Sequence, residues 1–573
     1  MSQRRFLLVD QSIRDGTGHF LELASVILSA AERQGFEPWL VTNETFQGGG
    51  SVKSSWTVRP VLTHHKMQRW SMTPYGHSRV ARDRNGRPAG NGLLSALQFF
   101  KDRLHRVRPE VMLDQFATEL ATVLTEFCPT QNDQILFATC DDFCALAVAE
   151  AFRRADLRQS VDLHILSHAN FLEQRECEWA GKVWKSPNFS RQIALTLTNL
   201  QPHRVHFWAT TNELARQLNW IAGAQLWSPV CYPVRNSLCP KIRDTKSPRR
   251  IFLGGAVRSE KGLSQISQIV DQLWTSHLQT GRWQIAMQVP KNLQSYVLPK
   301  SLRSRLPEWR EQGDQAPVIL ASGHLDPESY AEMIRTADAG LFLYDGRRYY
   351  TRCSGVLVEM LSCGVPVIVP AASWLSRQLA PAYNAYIDSV ACQFSKSLSI
   401  HEPHVMLPIR ASAAHSITTP GSTTGMMRVA VTLADPTEYD YLAVQIDSLR
   451  SNRQSIRSEL RILECCTAGP TQLLIKPQFG ASAFQIRLWS PYPQRPLALR
   501  RIEFLESDVS GVAIPVSTVG LIHTGNNCIL QNIDELEDHY AHYRGRAIQH
   551  ADDWRRRYSG DGFLKTLSMA REG

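Results

Sequence analysis

The sequence predicts an α/β fold: two domains, each built on a parallel β-sheet, with an antiparallel β-sandwich inserted in the second. Three observations predict it. Apolar strand-sized runs alternate with helix-period segments through the first 230 residues and again from about residue 250 to 370. That alternation marks parallel sheets covered on both faces. A stretch with no period, Pro233–Arg249, holds Pro, Arg, Lys and Ser and separates the two series. Beyond Cys392 the rhythm changes to short strands divided by polar turns containing Pro or Gly, the pattern of a sandwich. The expected domains are 1–235, 245–392, the inserted 395–515, and 516–573 as the completion of the second domain with helices that cross back. At roughly 100–200 residues per domain, 573 residues suit that division.

The elements follow in order. In the first series Phe6–Asp10 reads as strand, Phe20–Arg33 as helix and Pro38–Thr42 as strand. Asn43–Asn91 is polar and rich in Gly, Ser and Arg, and is expected to form loops. Leu93–Val107, Glu110–Phe127 and Phe143–Arg154 have helical period; Ile135–Thr139, Val161–Ser167, Val205–Thr210 and Gln225–Val230 read as strands. In the second series the expected strands are Arg250–Leu253, Trp283–Gln288, Val318–Ala321, Gly340–Tyr344 and Val365–Val369. Helices are expected at Gly262–Leu273, at Pro327–Thr336 and from Gly355. The sandwich is expected from Met426–Leu433, Tyr441–Ile446, Glu459–Cys465, Gln472–Lys476, Phe484–Trp489 and Arg500–Leu505. Thr518–His523 returns as a strand, and Asn532–Tyr558 as one or two long helices.

Composition excludes several classes. Apolar content of 43% and charged content of 20% are those of a well-packed globular chain. No apolar run reaches the roughly 18 residues of a membrane span, and MSQRRFLLVDQSIRDG lacks a signal-peptide core, so the expected compartment is the cytoplasm. Twelve cysteines are scattered without CxxC or zinc-finger spacing, which argues for a reducing compartment and against disulfide stapling. Net charge is +10, and residues 61–108 carry ten Lys or Arg against Asp83 and Asp102, a local +8. This window is either a solvated face or a contact for anionic lipid headgroups, peripheral on the inner membrane face, or for a phosphate-bearing acceptor. No nucleic-acid-binding module accompanies it, so nucleic acid is not an expected partner.

Ligands of parallel-sheet domains sit beyond the carboxyl ends of the strands. After the first strand, DQSIRDGTGHF places Gly16 and Gly18 before a helix, where free N–H groups can meet an anion, and His19 either faces that ligand or caps the helix. The spacing is not GxGxxG, which disfavours a dinucleotide. After the first strand of the second series, GGAVRSEKGLSQ places Gly254 and Gly255 before Arg258 and Lys261, three apart, a seat for a diphosphate. In YYTRCSGVLVEMLSCGVPVIVP, Gly355 opens a short helix whose other side chains are mostly apolar. A lone carboxylate there, Glu359, is either paired or presented to a ligand, since burying it alone is costly. A carboxylate accepts two hydroxyl donors at once, which suits a ribose.

Together IFLGGAVRSEKGLSQI and ESYAEMIRTADAGLFLYDGRRYYTRCSGVLVEMLSCGVPVIVP, about 120 residues with the gap between, resemble retaining glycosyltransferases of the GT-B architecture, of the family-four (group 1) type. The resemblance implies two Rossmann-like domains. It implies a nucleotide-sugar co-substrate, a glycan or lipid-linked acceptor, and no other cofactor. By position it implies that Arg258 and Lys261 hold the donor diphosphate. Glu359 would hold the ribose, with Gly255, Ser354 and Gly355 close to the phosphates and sugar, and His324 and Leu325 beside the base. His168, in LHILSHANF, resembles a family histidine near the reacting sugar; it reads equally as a turn histidine. The family carries a second glutamate eight residues before the first, and here Thr351 stands there, with Tyr350, Arg352 and Ser354 as the replacements at hand. No Asp-x-Asp is present, so a metal at the diphosphate is not expected. The alternatives are a glycan-binding or scaffold protein that kept the fold without catalysis, and a sugar-nucleotide epimerase.

Overall fold

The computed structural model describes residues 3–16, 18–49, 51–64, 109–157, 159–168, 171–172, 175–176, 193–194, 196–235, 237–241, 248–321, 325–420, 425–437, 440–476, 478, 480–491, 496–507 and 514–569. It divides into two compact units. One comprises Met1–Arg235, Thr351–Cys353 and Arg557–Gly573; the other comprises Asn236–Tyr350 and Ser354–Arg556.

The first unit is built on β1 (Arg5–Asp10), α1 (His19–Arg33), β2 (Glu37–Asn43), β3 (Thr57–Leu62), α2 (Pro109–Phe127), β4 (Gln134–Phe137), α3 (Asp142–Ala155) and β5 (Asp162–Ser167). A small antiparallel pair, β6 (Phe171–Leu172) and β7 (Arg175–Glu176), precedes β8 (Arg204–Ala209), α4 (Asn212–Ala222) and β9 (Trp227–Pro229). The large sheet is parallel throughout, in the order β3-β2-β1-β4-β5-β8-β9. The winding therefore reverses between β1 and β4, the switch point of a doubly wound sheet. Strands β4 and β5 are buried along their whole length, as central strands covered on both faces are, and β5 takes Asp162, His164 and Ser167 into the interior with its apolar residues. β3 corrects the expectation that Asn43–Asn91 is all loop. It carries Pro60 and weak alternation, which an edge strand tolerates and a central strand does not. The cationic window lies outside the described residues from 65 to 108. Among the described residues, no helix is long and apolar enough to cross a membrane.

The second unit repeats the plan. β10 (Arg249–Leu253), α5 (Leu263–Leu273), β11 (Trp283–Gln288), α6 (Leu306–Gln312), β12 (Val318–Ala321), α7 (Pro327–Arg335) and β13 (Ala339–Leu341) come first. They are followed by α8 (Gly355–Ser362), β14 (Val367–Pro370) and α9 (Trp374–Val390). The sandwich then occupies β15 (Lys396–His401), β16 (Val405–Met406), β17 (His415–Pro420), β18 (Met427–Ala434), β19 (Tyr441–Leu449), β20 (Ser455–Glu464), β21 (Thr471–Ile475), β22 (Ala483–Trp489) and β23 (Ala498–Glu506). After it, β24 (Gly520–His523) pairs with β14 in parallel, completing the order β12-β11-β10-β13-β14-β24. α10 (Asn526–Asp538) and α11 (Tyr540–Arg557) cover it, and α12 (Gly560–Met569) packs on α1 in the first unit.

The fold class is the expected one: two parallel α/β sheets, with an antiparallel sandwich interrupting the second. The sandwich's two sheets, β15-β23-β18-β21 and β17-β22-β19-β20, share an apolar core around Val429, Val444, Ile486 and Phe504. β15 to β17 carry mostly polar, partly exposed residues, so their strand pattern is faint in the sequence. β17 is an edge strand and ends on Pro420, a place where proline is tolerated.

Candidate functional site

In the second sheet the winding reverses between β10 and β13. The two loops leaving those strands are therefore neighbours, and the sequence-predicted diphosphate seat lies on one of them. Gly254 N–H donates to the Leu341 carbonyl at 3.1 Å, tying the first loop to β13. Gly255 then turns with φ +76°, a conformation that side chains disfavour. A Cβ there would stand 2.6 Å from Lys261 Nζ and 3.1 Å from a Val356 methyl of α8. The glycine thus leaves room for the ammonium and for the start of the helix at once. A one-turn helix, Ser259–Lys261, ends at Gly262 (φ +81°), whose missing Cβ would meet the Leu343 carbonyl oxygen at 2.4 Å. The turn can press on the β13 loop only because of that absence.

Lys261 is partly exposed as a residue, yet its ammonium is desolvated. It lies 5.1 Å from the centre of the Tyr344 ring, a cation–π contact. Burial, reinforced by the neighbouring Arg258 charge and offset by Glu260 and Glu359, pushes its pKa down to about 8. Such a cation wants an anionic partner. Arg258 is the exposed member, with 54% of its side chain open to solvent and Glu260 at 3.9 Å. On α8, Ser354 caps the helix by accepting from Leu357 N–H at 3.3 Å. Glu359 is partly buried in that helix and accepts a hydrogen bond from the Tyr330 hydroxyl of α7 at 3.3 Å. Gly255, Arg258, Lys261, Gly355 and Glu359 are thus brought to one place.

The sequence marks Tyr344 only as the end of an expected strand, which in the structure stops at Leu341 and leaves the tyrosine in the loop beside Lys261. Its hydroxyl donates to the Gly254 carbonyl at 2.7 Å, and its ring lies 4.4 Å from that of Tyr349. Burial raises its hydroxyl well above the usual phenol range, so it remains a donor. The signal for it was its position just past β13 at the switch point. Tyr330 was hidden more thoroughly, as one residue on a helix's surface pattern.

Other candidates stand elsewhere. Leu325 is partly buried just before Asp326, which caps α7; His324 lies outside the described residues. Arg352 is carried by Thr351–Cys353, the short stretch that packs in the first unit, where the Thr351 carbonyl accepts from Thr211 Oγ1 at 2.6 Å. In the first unit, His168 follows β5 and its Nε2 is 2.6 Å from the Ala138 carbonyl at the end of β4. Gly18 forms the start of α1, its carbonyl accepting from Glu22 N–H, and the His19 ring lies tilted against that of Phe20 with centroids 4.0 Å apart. Gly16 is partly buried in the same loop. Near that loop Asp10 is fully buried, accepting from Ser12 N–H and Thr139 Oγ1, both at 2.8 Å.

Among the described residues, His277, Asp534 and Glu537 bring ligand atoms within 4.8 Å of one another. Their atoms are already engaged: His277 Nε2 with Asp534 at 3.1 Å, and Glu537 with Arg282 and Trp283 Nε1, each at 3.1 Å. None of them belongs to the β10 and β13 loops.

No family model matches the chain, and no curated protein matches it. Solved structures do. The chain is similar to the E. coli trehalose-6-phosphate protein bound with UDP-2-fluoro glucose (13% identity, TM-score 0.39, 66% of this chain and 86% of that one). It is similar to the sucrose-phosphate synthase of Thermosynechococcus elongatus (12%, TM-score 0.39, 68% and 90%). It is also similar to an alpha,alpha-trehalose-phosphate synthase (UDP-forming) of Burkholderia vietnamiensis (11%, TM-score 0.38, 65% and 86%). At these scores the fold assignment rests on the chain's own sheet orders and registers.

Proposed function

We propose that this chain is a glycosyltransferase that moves a sugar from a nucleotide-sugar donor to an acceptor hydroxyl, with retention and without a metal. The observation that carries the reading is the convergence of Arg258, Lys261 and Glu359 at the switch point between β10 and β13. In the proposed reaction the anomeric C–O bond to the diphosphate breaks. A new bond forms to the acceptor oxygen, and the acceptor's proton leaves with the diphosphate. Lys261 and Arg258 stabilise the departing charge, assisted by the N-terminus of α8 at Ser354 and Gly355. Lys261 suits this role because its ammonium lacks water and gains most from an incoming anion. Glu359 takes the ribose hydroxyls, with Tyr330 orienting its carboxylate. His324 and Leu325 border the base. His168, Gly16, Gly18, His19 and Arg352 are assigned to the sugar and acceptor side, and the acceptor class is a glycan or lipid-linked sugar.

The test is release of nucleoside diphosphate from a panel of nucleotide sugars by the purified chain, metal-free and with metal. Turnover lost in both Glu359→Ala and Lys261→Ala supports the enzyme. Glycan binding that survives both changes, with no turnover on any donor, supports instead a binding protein of the same fold. The proposed contact of residues 61–108 with anionic membrane is tested by liposome sedimentation, and equal binding to neutral vesicles refutes it.

A further inference from the structure

We infer that the inserted sandwich is a positioning element of the diphosphate seat, reaching it through Arg377 and a ladder of tyrosines. The inference rests on the reading of the Lys261 loop as a diphosphate site.

The sandwich offers Tyr441 and Glu464, which face each other across the β19–β20 pair. Both engage the first turn of α9. The Ser376 hydroxyl donates to the Glu464 carboxylate. The Arg377 guanidinium lies 4.8 Å from the Tyr441 ring centre and 5.1 Å from that of Tyr350. Arg377 thus bridges a sandwich ring and a ring of the β13 loop. Burial raises the Glu464 carboxyl, and the Arg377 charge counteracts the rise.

From Tyr350 the path runs to the seat without a gap. The Tyr349 carbonyl accepts from Trp374 N–H, also in the first turn of α9, at 2.7 Å. The Tyr349 ring packs on Tyr344, and Tyr344 lies beneath Lys261 and bonds to Gly254. Asp345 N–H donates to the Glu260 carbonyl at 2.9 Å, pinning the same loop to the Lys261 turn. Tyr349, Tyr350 and Tyr441 are all buried, so each is held on several sides. The β13 loop is therefore clamped between α9, backed by the sandwich, and the cationic turn. Cation–π contacts of a desolvated guanidinium are strong enough to hold such a loop in one geometry.

The variants are Arg377→Met, Arg377→Lys and Tyr441→Leu, with Arg487→Met, which faces Asp447 within the sandwich, as the control. Two readouts are taken on the full chain. Competitive acylation of Lys261 over a pH series, read by peptide mass spectrometry, reports its pKa without any ligand. Calorimetry reports affinity for UDP and GDP. Expected is a rise of the Lys261 pKa by at least about one unit in Arg377→Met and Tyr441→Leu, with a smaller rise in Arg377→Lys and none in the control. Diphosphate affinity is expected to fall about tenfold in the first two. A lowered melting temperature with the Lys261 pKa unchanged in every folded ladder variant overturns the inference, because it reduces Arg377 to a packing role. Wild-type protein that binds neither nucleotide, while its variants still shift the pKa, leaves the buttress standing and refutes the diphosphate reading.

Discussion

Replacing Lys261 by Met tests the central electrostatic claim. The ammonium's pKa falls from 10.5 to about 8 in the folded chain, chiefly by burial. A shift of that size corresponds to a cost of folding on the order of 3 kcal/mol while the group is charged. The sign follows from proton counts. Between about pH 8 and 10.5 the unfolded chain holds the proton more than the folded one, so stability rises with pH across that window. The burial penalty is fully present below about pH 8 and is relieved above it. Lys261→Met, similar in length and uncharged, is therefore expected to be more stable than wild type at pH 7, by up to about 3 kcal/mol, and to lose the rise. Ligand binding is expected to move the other way. With a pKa of about 8, protonated Lys261 outnumbers neutral roughly ten to one at pH 7, and the ratio reverses at pH 9. A nucleoside diphosphate is already mostly ionised at pH 7 and gains little charge above it, so wild-type affinity for UDP or GDP should drop about tenfold between those pH values, while Lys261→Met binds weakly and without that dependence. Denaturant unfolding and calorimetry at pH 7, 8 and 9 measure both quantities. Equal stability of variant and wild type at pH 7, with parallel pH profiles for nucleotide binding, would refute the reasoning.

Further outcomes follow from single contacts. Glu359→Gln should weaken UDP roughly tenfold to a hundredfold by loss of charged hydrogen bonds, yet leave inorganic pyrophosphate, which has no ribose, unchanged in calorimetry. Gly255→Ala places a methyl 2.6 Å from Lys261 Nζ; that side chain can swing away, so diphosphate affinity should fall more than stability does. Gly262→Ala meets the Leu343 carbonyl at 2.4 Å, a backbone atom that cannot yield, and should cost about 2 kcal/mol or more in unfolding free energy. In the first unit, Asp10→Ala strips the acceptor from Thr139 Oγ1 and Ser12 N–H in a buried place and should cost about 1–3 kcal/mol by the same measurement.

Much of this architecture was written locally. Runs such as Phe6–Val9 and Ile251–Leu253 are buried on both faces, so their apolarity shows without any partner in view. The Arg258 and Lys261 spacing and the placement of Glu359 on an apolar helix were legible for a similar reason: charge in an apolar or glycine-bounded setting stands out along the chain. β3 and β15–β17 did not stand out, because edge and polar strands owe their form to neighbours rather than to their own pattern. The parts that folding alone decided join residues far apart in sequence. Tyr344 meets Gly254 from 90 residues away, Tyr330 meets Glu359 across two helices, and Tyr441 meets Arg377 from the inserted sandwich. No local propensity encodes such contacts. They arise because a parallel sheet must carry its chain across a face between neighbouring strands, so the loops that meet at its carboxyl edge are set by strand order rather than by sequence distance.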